Sequence, residues 1–246
     1  MSDAMLNALF TLHHDLPRQG PGSDETTRRL LALAGPVPDR PKALDLGCGP
    51  GRSALVLAEA AGAEVIAIDL HQPFLDQLSE AAGRRGLDAL IHPVNLSMAE
   101  LPYPDHSFDL LWAEGSVYNV GFDQALRSWR RLLAPGGVLV VTECEWTTPD
   151  PSPDLLAYWE RNYPLRTSAQ NTAAAAEAGY DVSGTYLLPD SDWFAEYYDP
   201  LESRIATADL SVPGMSEVVA ATREEIELRR RYATEYGYVG YVLRQR

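Results

Sequence analysis

The chain has 246 residues, of which 46% are aliphatic, aromatic or cysteine, which fits one α/β domain with a sizeable core. Its 35 acidic and 20 basic residues give a formal net charge of −15, which argues against nucleic acid as a partner because phosphate backbones repel such a surface. The sequence has no run of about 20 apolar residues, as a membrane span requires, and its first residues lack the basic and apolar regions of a signal peptide.

The cysteine content is low. Cys48 and Cys144 are the two thiols of the sequence, and they lack the spacing of metal ligands. Two cysteines so placed do not make a disulfide scaffold, and they suit a reducing compartment. We therefore expect a cytoplasmic protein with no metal site, no membrane partner and no nucleic-acid partner.

Two helices are predicted before the first strand. Residues 2–16 carry an apolar stripe at helical spacing. After a loop over 17–23, Ser23 is placed to cap a second helix over 24–34, whose first turn is acidic. Because the sheet does not need these helices, we expect residues 1–36 to form a lid.

Two adjacent histidines, His13 and His14, follow the apolar stripe of the first predicted helix. Neighbouring residues point to different faces of a helix, so a metal pair is not expected. A surface or core position is the default interpretation, and a place for His14 in a substrate pocket is the alternative.

A glycine-rich loop follows the first predicted strand, in the sequence Ala-Leu-Asp-Leu-Gly-Cys-Gly-Pro-Gly over residues 43–51. The strand is predicted over 42–46, and a helix over 51–61 ends at Gly62. A second strand over 64–69 ends in an acid, Asp69. Strand, glycine turn and helix predict the start of a nucleotide-binding α/β unit.

The type of nucleotide follows from what surrounds the glycines. A dinucleotide fingerprint would need a third glycine at position 52, which is Arg52, and no lysine follows as in a P-loop. The segment from Asp45 to Gly51 resembles motif I of the class I S-adenosylmethionine (SAM)-dependent methyltransferases. SAM carries a sulfonium and an ammonium group, so an acid beside the loop can pair with it, whereas the same acid would repel a pyrophosphate.

The resemblance extends along the chain. It implies that Asp69 binds both ribose hydroxyls of SAM, since a carboxylate offers two acceptors for two donors. After a strand over 89–95, many family members place an acid where this chain has Ser97, followed by Met98, which can pack on a purine. The cofactor residues expected from these positions are Asp45, Gly47, Cys48, Gly49, Gly51, Asp69, Leu70, Ser97, Met98, Glu114 and Arg18.

The fourth strand, predicted over 107–113, runs into a loop expected to face the methyl group. Ligands of open α/β sheets bind at the carboxyl ends of the strands. This loop, 114–119, lacks the motif of methyltransferases that modify DNA adenine or glutamine amides, which disfavours those substrates. The acceptor residues expected here and in the later segments are Tyr118, Asn119, Trp146, Trp193 and Tyr197.

The second half of the chain predicts the remaining sheet and a cap. An amphipathic helix over 122–133 is followed by the Pro-Gly-Gly segment and a strand over 138–143. Two more strands are predicted over 182–188 and 238–243. The long insertion between them, 189–237, is rich in aromatic residues and predicts a cap over the site, with a packing seam or dimer face as the alternative.

A helix within the insertion is expected to carry Trp193 and Tyr197 one turn apart, with Asp190 or Ser191 as its cap. Together the elements predict an α/β, Rossmann-like fold with a seven-stranded, mostly parallel sheet and helices on both faces, and the resemblance implies the strand order 3-2-1-4-5-7-6. The single domain, 1–246, would contain the lid, a SAM-binding core over 40–145 and the cap insertion.

The function implied by the resemblance is transfer of the SAM methyl group to a nitrogen or oxygen nucleophile of a small metabolite. The candidate general bases are Glu143, His14 and Tyr118. The alternatives are a SAM-binding protein without catalysis, a protein methyltransferase and, much less favoured, a nicotinamide oxidoreductase. A homodimer is compatible with the aromatic insertion.

Overall fold

The structure is a computed structural model that describes residues 2–246. The strands are β1 Lys42–Leu46, β2 Glu64–Asp69, β3 Ile91–Asn95, β4 Phe108–Ala113, β5 Leu133–Trp146, β6 Arg166–Thr167, β7 Tyr180–Leu187 and β8 Tyr236–Gln245. The helices are α1 Asp3–His13, α2 Asp24–Ala34, α3 Arg52–Ala61, α4 Gln72–Arg85, α5 Phe122–Trp129, α6 Pro153–Asn162, α7 Ser168–Glu177, α8 Asp190–Trp193, α9 Asp199–Ala206 and α10 Met215–Tyr232.

The strands form one sheet in the order β3-β2-β1-β4-β5-β8-β7. Because β7 and β8 correspond to the sixth and seventh predicted strands, the predicted order is confirmed. A two-residue strand, β6, pairs with β5 outside this path and was missed, so the sheet has eight strands rather than seven. β8 runs antiparallel to both of its neighbours, and the other pairings are parallel.

Apolar residues fill the sheet on both faces. In β1, Ala43 belongs to the core cluster under α2, α3 and α4, and Leu44 belongs to the cluster under α5 and α7. Successive side chains of a strand point to opposite faces, so a strand buried on both sides is apolar at consecutive positions. A third cluster joins α1, α9 and α10 beside the ends of β5 and β8.

Several N-terminal elements lie where the sequence predicts them. The hydroxyl of Ser23 accepts a hydrogen bond from the amide of Thr26 at 3.1 Å, so Ser23 is the N-cap of α2. The bounds of β1 and β2 match the predicted ones. α1 is shorter than predicted and ends at His13.

Two predicted boundaries near β5 are wrong. The helix predicted over 122–133 ends at Trp129 and continues as a 3₁₀ turn over 130–132. The strand predicted over 138–143 extends over the whole of β5, because β8 pairs with it as far as Trp146 and Leu133 pairs with Phe108. Pairing with distant strands decides these ends, and local sequence does not encode it.

The insertion predicted as a cap consists of α8, a π-helical turn over 194–198, α9 and α10. The predicted capping by Asp190 or Ser191 is wrong: Pro189 occupies the N-cap position without a side-chain bond, and Asp190 is already in α8. Asp190 instead accepts a hydrogen bond from Arg229 of α10 at 2.5 Å. α1 packs against α9 and α10, so the N-terminal segment and the insertion form one layer.

Within residues 2–246, no helix combines the length and the apolar content that crossing a bilayer requires.

The close packing of the glycine loop can be tested by substitution of Gly51. Its φ is +79°, and an added Cβ would overlap the methyl groups of Leu78 on α4. We expect Gly51→Ala to lower the free energy of unfolding in urea by about 2–5 kcal/mol, combining a left-handed backbone with overpacking. Gly86→Ala is the matched control, because Gly86 has φ +67° with nothing within 4 Å of an added Cβ. An equal loss of unfolding free energy in the two variants would contradict the contribution of the overlap with Leu78.

Candidate active site

The glycine loop is held against the end of β2, and neighbouring side chains pack closely on its backbone. The amides of Gly47 and Cys48 both donate to the carbonyl of Ile68 at 2.9 Å. A Cβ on Gly47, whose φ is +72°, would lie 2.5 Å from Met98 Cε and 2.7 Å from Ser116 Cβ. Glycine at this position therefore allows a close approach to the backbone that a side chain would block.

Asp69 joins the end of β2 to this loop. Its Oδ2 accepts from the Gly49 amide at 2.9 Å, and its Oδ1 accepts from the His71 amide at 2.8 Å. Each carboxylate oxygen can accept a second hydrogen bond, so Asp69 keeps capacity for two donors. The next residue, Leu70, is 69% exposed and presents an apolar surface beside that carboxylate.

Three carboxylates converge at the ends of β1, β2 and β4. Asp45 is 1% exposed and accepts from the Ser53 hydroxyl at 2.8 Å. Burial raises the pKa of Asp45 to about 7, the Ser53 bond opposes this, and the charges of Glu114 and Asp69 add to it. A site with this potential favours a cation and disfavours phosphate. Since Asp45 is sealed beneath the loop, it acts through its field rather than through an open contact.

Arg18 connects the lid, the sheet and the cap. Its guanidinium donates to Glu196 at 3.3 Å, Glu114 at 3.4 Å and Asp24 at 3.2 Å. Arg52 donates to the same Asp24 oxygen at 3.0 and 2.8 Å. The donors of Arg18 are thus directed at protein carboxylates, and its predicted contact with the cofactor stays a prediction.

Glu114 is fixed by the same network. Its Oε1 accepts from Thr27 and from the Trp112 indole, both at 2.7 Å. The loop that follows is tied to neighbouring strands, since the Ser116 hydroxyl donates to Leu46 at 2.5 Å and Thr142 accepts from the Gly115 amide at 2.7 Å. This loop therefore has a fixed position beside the glycine loop.

On the other side of Asp69, an aromatic stack closes the site. The Phe10 ring of α1 stacks on His71 with 3.9 Å between centroids and 9° between planes. Ser97 accepts from the Ala99 amide at 3.2 Å, and the Met98 carbonyl accepts from the Trp129 indole at 3.0 Å. Neither Phe10 nor His71 is among the predicted site residues, because their pairing depends on how α1 packs.

A second region, which we call the tyrosine chamber, lies where the sheet meets the insertion. It contains Glu143, Glu225 and the tyrosines on whose hydroxyls one or both of these charges act, namely Tyr118, Tyr158, Tyr163, Tyr197 and Tyr238. Tyr118 is 47% exposed and packs edge-on to Tyr163 with 6.0 Å between ring centroids. Desolvation raises the pKa of Tyr118, so its phenol is neutral near pH 7 and suits a hydrogen-bond donor better than a base.

Glu143 is the buried acid of the chamber. It is 4% exposed, and among residues 2–246 its Oε2 has no hydrogen-bond partner. Burial raises the pKa of Glu143 to about 7, and Tyr163 and Arg166 oppose this. A cavity of about 340 Å³ reaches Glu143 past Gly121, Tyr163 and Arg166. An acid of this kind is poised to exchange a proton near neutral pH.

Glu225 on α10 is a chamber residue that the sequence analysis missed. Its Oε1 accepts from the Tyr198 hydroxyl at 2.7 Å, and burial raises its pKa. Burial raises the pKa values of Tyr118, Tyr197 and Tyr238, and the charge of Glu225 adds to that effect. The surrounding charges of α10 make Glu225 look like part of a solvated helix face.

Some predicted residues are not brought into the chamber. His14 is exposed and lies 3.2 Å from Gln77 on α4. Trp193 is 2% exposed and lies under the guanidinium of Arg229, 4.1 Å from its ring centroid. Their predicted roles as base and substrate contact are not favoured by these positions.

Three further predicted residues lie at the edges of the site. Trp146 ends β5 and packs against the third core cluster, which joins α1, α9 and α10. Asn119 donates to the Ser116 carbonyl at 3.0 Å beside Tyr118. Burial raises the pKa of the Cys48 thiol well above its usual range, so it stays neutral in the loop.

Comparison with known proteins places part of the chain in a known family's range of similarity. Residues 44–141 match the family described as a methyltransferase domain. The 27-O-demethylrifamycin SV methyltransferase of Amycolatopsis mediterranei is 33% identical over 121 residues, 48% of this chain and 44% of that protein. The sarcosine/dimethylglycine N-methyltransferase of Halorhodospira halochloris is 30% identical over 122 residues, 49% of this chain and 44% of that protein.

A solved structure extends the similarity to the whole fold. The SAM-dependent methyltransferase from Geobacter sulfurreducens, in complex with S-adenosyl-L-homocysteine, has a TM-score of 0.83 at 20% identity, covering 98% of each chain. The present chain spans less than half the length of the two curated relatives. It has the class I methyltransferase fold, and residues 44–141 match the methyltransferase domain family. This match agrees with the family predicted from the sequence.

Proposed function

We propose that the protein binds SAM and transfers its methyl group to a nitrogen or oxygen nucleophile of a small molecule. The observation that carries this proposal is the arrangement of Asp69, which can accept two further hydrogen bonds, beside the side-chain-poor backbone of Gly47 and Gly49. Asp45 and Glu114 supply the negative potential that a sulfonium and an ammonium group need. When bound, SAM supplies an electrophilic methyl group.

The residues of the site have distinct roles in this proposal. Asp69 accepts from the two ribose hydroxyls, and the backbone at Gly47 and Gly49 lies against the methionine part. Leu70 and Met98 flank the base. Holding donor and acceptor in line can contribute roughly 7–11 kcal/mol to lowering the barrier, so positioning accounts for most of the acceleration.

The acceptor lies in the tyrosine chamber, on the side of the β4 and β5 ends. The N-terminal helices and the insertion form a lid and a cap over this region in the proposal, which suits a small molecule better than a protein side chain. Glu143, which is buried and whose Oε2 has no hydrogen-bond partner among the described residues, is the group that receives a proton from the nucleophile. A SAM-binding protein without catalysis would not need this acid, so the catalytic alternative is favoured.

The proposal is tested by titrating the full chain with SAM and with NADPH in a calorimeter, then incubating it with labelled SAM and a pool of small metabolites. We expect SAM alone to bind and label to appear in a small product. Binding of NADPH in place of SAM would contradict the cofactor, and SAM binding without any labelled product would favour the non-catalytic alternative.

The affinity for SAM should depend on pH through Asp45. Its pKa of about 7 means that the ionised fraction grows about eightfold from pH 6 to pH 7.5. The ionised form attracts the cationic cofactor, so we expect affinity to rise several-fold over this range. Calorimetry at several pH values should give a flatter profile for Asp45→Asn, with Asp76→Asn as an exposed control. An unchanged slope in Asp45→Asn would contradict the role of Asp45.

A further inference from the structure

The tyrosine chamber holds two acids that make no ion pair within residues 2–246. Glu143 lies near Arg166, but that guanidinium binds both oxygens of Asp123 at 2.6 and 3.0 Å. Glu225 receives one hydrogen bond, from the neutral hydroxyl of Tyr198. Carboxylates removed from water are normally paired, so two such groups without an ion pair leave negative charge for a ligand.

Two guanidiniums near the chamber bind other groups, and a third, Arg127, is exposed and lines the cavity that reaches Glu143. Arg229 donates to the Tyr236 carbonyl at 2.6 Å and to Asp190, while it covers Trp193. Arg161 pairs with Glu224 at 3.4 Å on the outer surface. None of these guanidiniums is held by Glu143 or Glu225 in the described part of the chain, residues 2–246.

The remaining titratable groups of the chamber are neutral. His13 lies 3.3 Å from the Tyr197 hydroxyl, and burial lowers its pKa, so it carries no charge at pH 7. Burial raises the pKa of the Cys144 thiol well above its usual range. His13 and Cys144 therefore add no charge that would offset the two acids.

Aromatic faces surround these acids. The rings come from five separate elements: the 117–119 turn, α6, the α6–β6 connection, the π-helical turn and β8. Tyr197 and Tyr198 lie 5.0 Å apart between centroids, close to Glu225. Tyrosine faces attract cations through their quadrupole, and more strongly where water is excluded. An aromatic wall with carboxylates behind it matches an organic ammonium ion.

We infer that the methyl acceptor is an amine, which enters the tyrosine chamber as its ammonium ion and is held there by Glu143, Glu225 and the surrounding tyrosine faces. This inference rests on the proposed function. It places the positive nitrogen, rather than a hydroxyl or a carbon, next to the methyl group.

The groups named here account for the proton, the bonding electrons and the charge of the proposed reaction. The Glu143 carboxylate takes one proton from the ammonium ion, which frees the nitrogen lone pair. That lone pair forms the new N–C bond as the S–CH₃ bond of SAM breaks, and the bonding electrons stay on sulfur as a neutral thioether. The product nitrogen carries the positive charge, and the proton on Glu143 leaves to water through the cavity beside Tyr163.

The test is a binding measurement that does not depend on turnover. The full chain, saturated with S-adenosyl-L-homocysteine, is titrated in a calorimeter with choline and with 3,3-dimethylbutan-1-ol, its uncharged carbon analogue of the same shape. We expect choline to bind about tenfold more tightly or better. Equal binding, stronger binding of the alcohol or no binding of choline would overturn the inference.

Variants separate charge from shape. Glu143→Gln and Glu225→Gln should each reduce the preference for choline, and together they should abolish it. Glu227→Gln removes a charge from the exposed face of the same helix and should leave the preference intact. A preference that survives the double variant would also overturn the inference.

The two proposals fail in different ways. Absence of S-adenosyl-L-homocysteine binding to the wild-type chain would contradict the proposed function itself. Normal binding of that compound without a preference for choline would contradict only the inference that the methyl acceptor is an amine. Thermal unfolding and S-adenosyl-L-homocysteine affinity, measured for every variant, show that the variants are folded.

Discussion

Replacing Asp69 with alanine should weaken SAM binding by about 100-fold or more, the largest expected effect on the cofactor. A hydrogen bond to a charged group contributes about 1.5–3 kcal/mol, and Asp69 is placed to accept two from the ribose. The same carboxylate holds the amides of Gly49 and His71 at 2.9 and 2.8 Å, so its loss also loosens the glycine loop. We therefore expect Asp69→Ala both to bind SAM weakly and to lose the native position of the glycine loop.

Calorimetric titration with SAM measures this effect. Asp69→Asn keeps the side-chain volume and should still lose most of the affinity, which separates the charge from the shape. Asp76→Ala is the control, because Asp76 is exposed on α4 and bonds Gln72 alone among the described side chains. An Asp69→Ala protein that binds SAM as tightly as wild type would remove the basis of the proposed function.

Replacing Glu143 with glutamine should lower kcat by about 100-fold or more, the usual range for removal of a positioned general base. Glu143 has a pKa raised to about 7 by burial, so its carboxylate fraction increases from pH 6 to pH 8. Since the carboxylate is the active form, kcat/KM of the wild type should rise over this range. The variant should show a flat profile, because glutamine does not titrate.

Steady-state rates across pH, with SAM affinity measured in parallel, check this second effect. The affinity should stay within about twofold, since Glu143 lies in the tyrosine chamber and not against the glycine loop. Glu160→Gln is the control, an exposed glutamate on α6 that should keep the wild-type rate. A Glu143→Gln enzyme with the wild-type rate and pH profile would show that another group, or water, takes the proton.

Much of the fold was predictable because its signals are local. The Ser23 cap, the bounds of β1 and β2 and the end of α3 at Gly62 each depend on a few neighbouring residues. The extension of β5 and the short strand β6 were not predictable, because each depends on pairing with residues far along the chain. Local sequence patterns predict the presence of a helix or strand better than they predict its first and last residues.

The residues proposed to bind the cofactor could be located from the sequence more readily than the residues of the tyrosine chamber. Asp45, Asp69 and Glu114 end parallel strands, and such ends meet at one edge of the sheet. Glu225 has no comparable signal, because it lies in a charged helix whose inner face is defined by the packing of the cap. Trp193, expected to contact substrate, is instead covered by Arg229.

The sequence by itself determined the bounds of the first two strands, the glycine loop and the acid that ends the second strand, because periodicity and turn chemistry act over a few residues. The tertiary structure alone decided which side chains meet in the tyrosine chamber. Residues from the N-terminal helix, three strand ends and α10 meet there across large sequence separations. Their burial, and thus the charge states of Glu143 and Glu225, exists only once those elements have packed together.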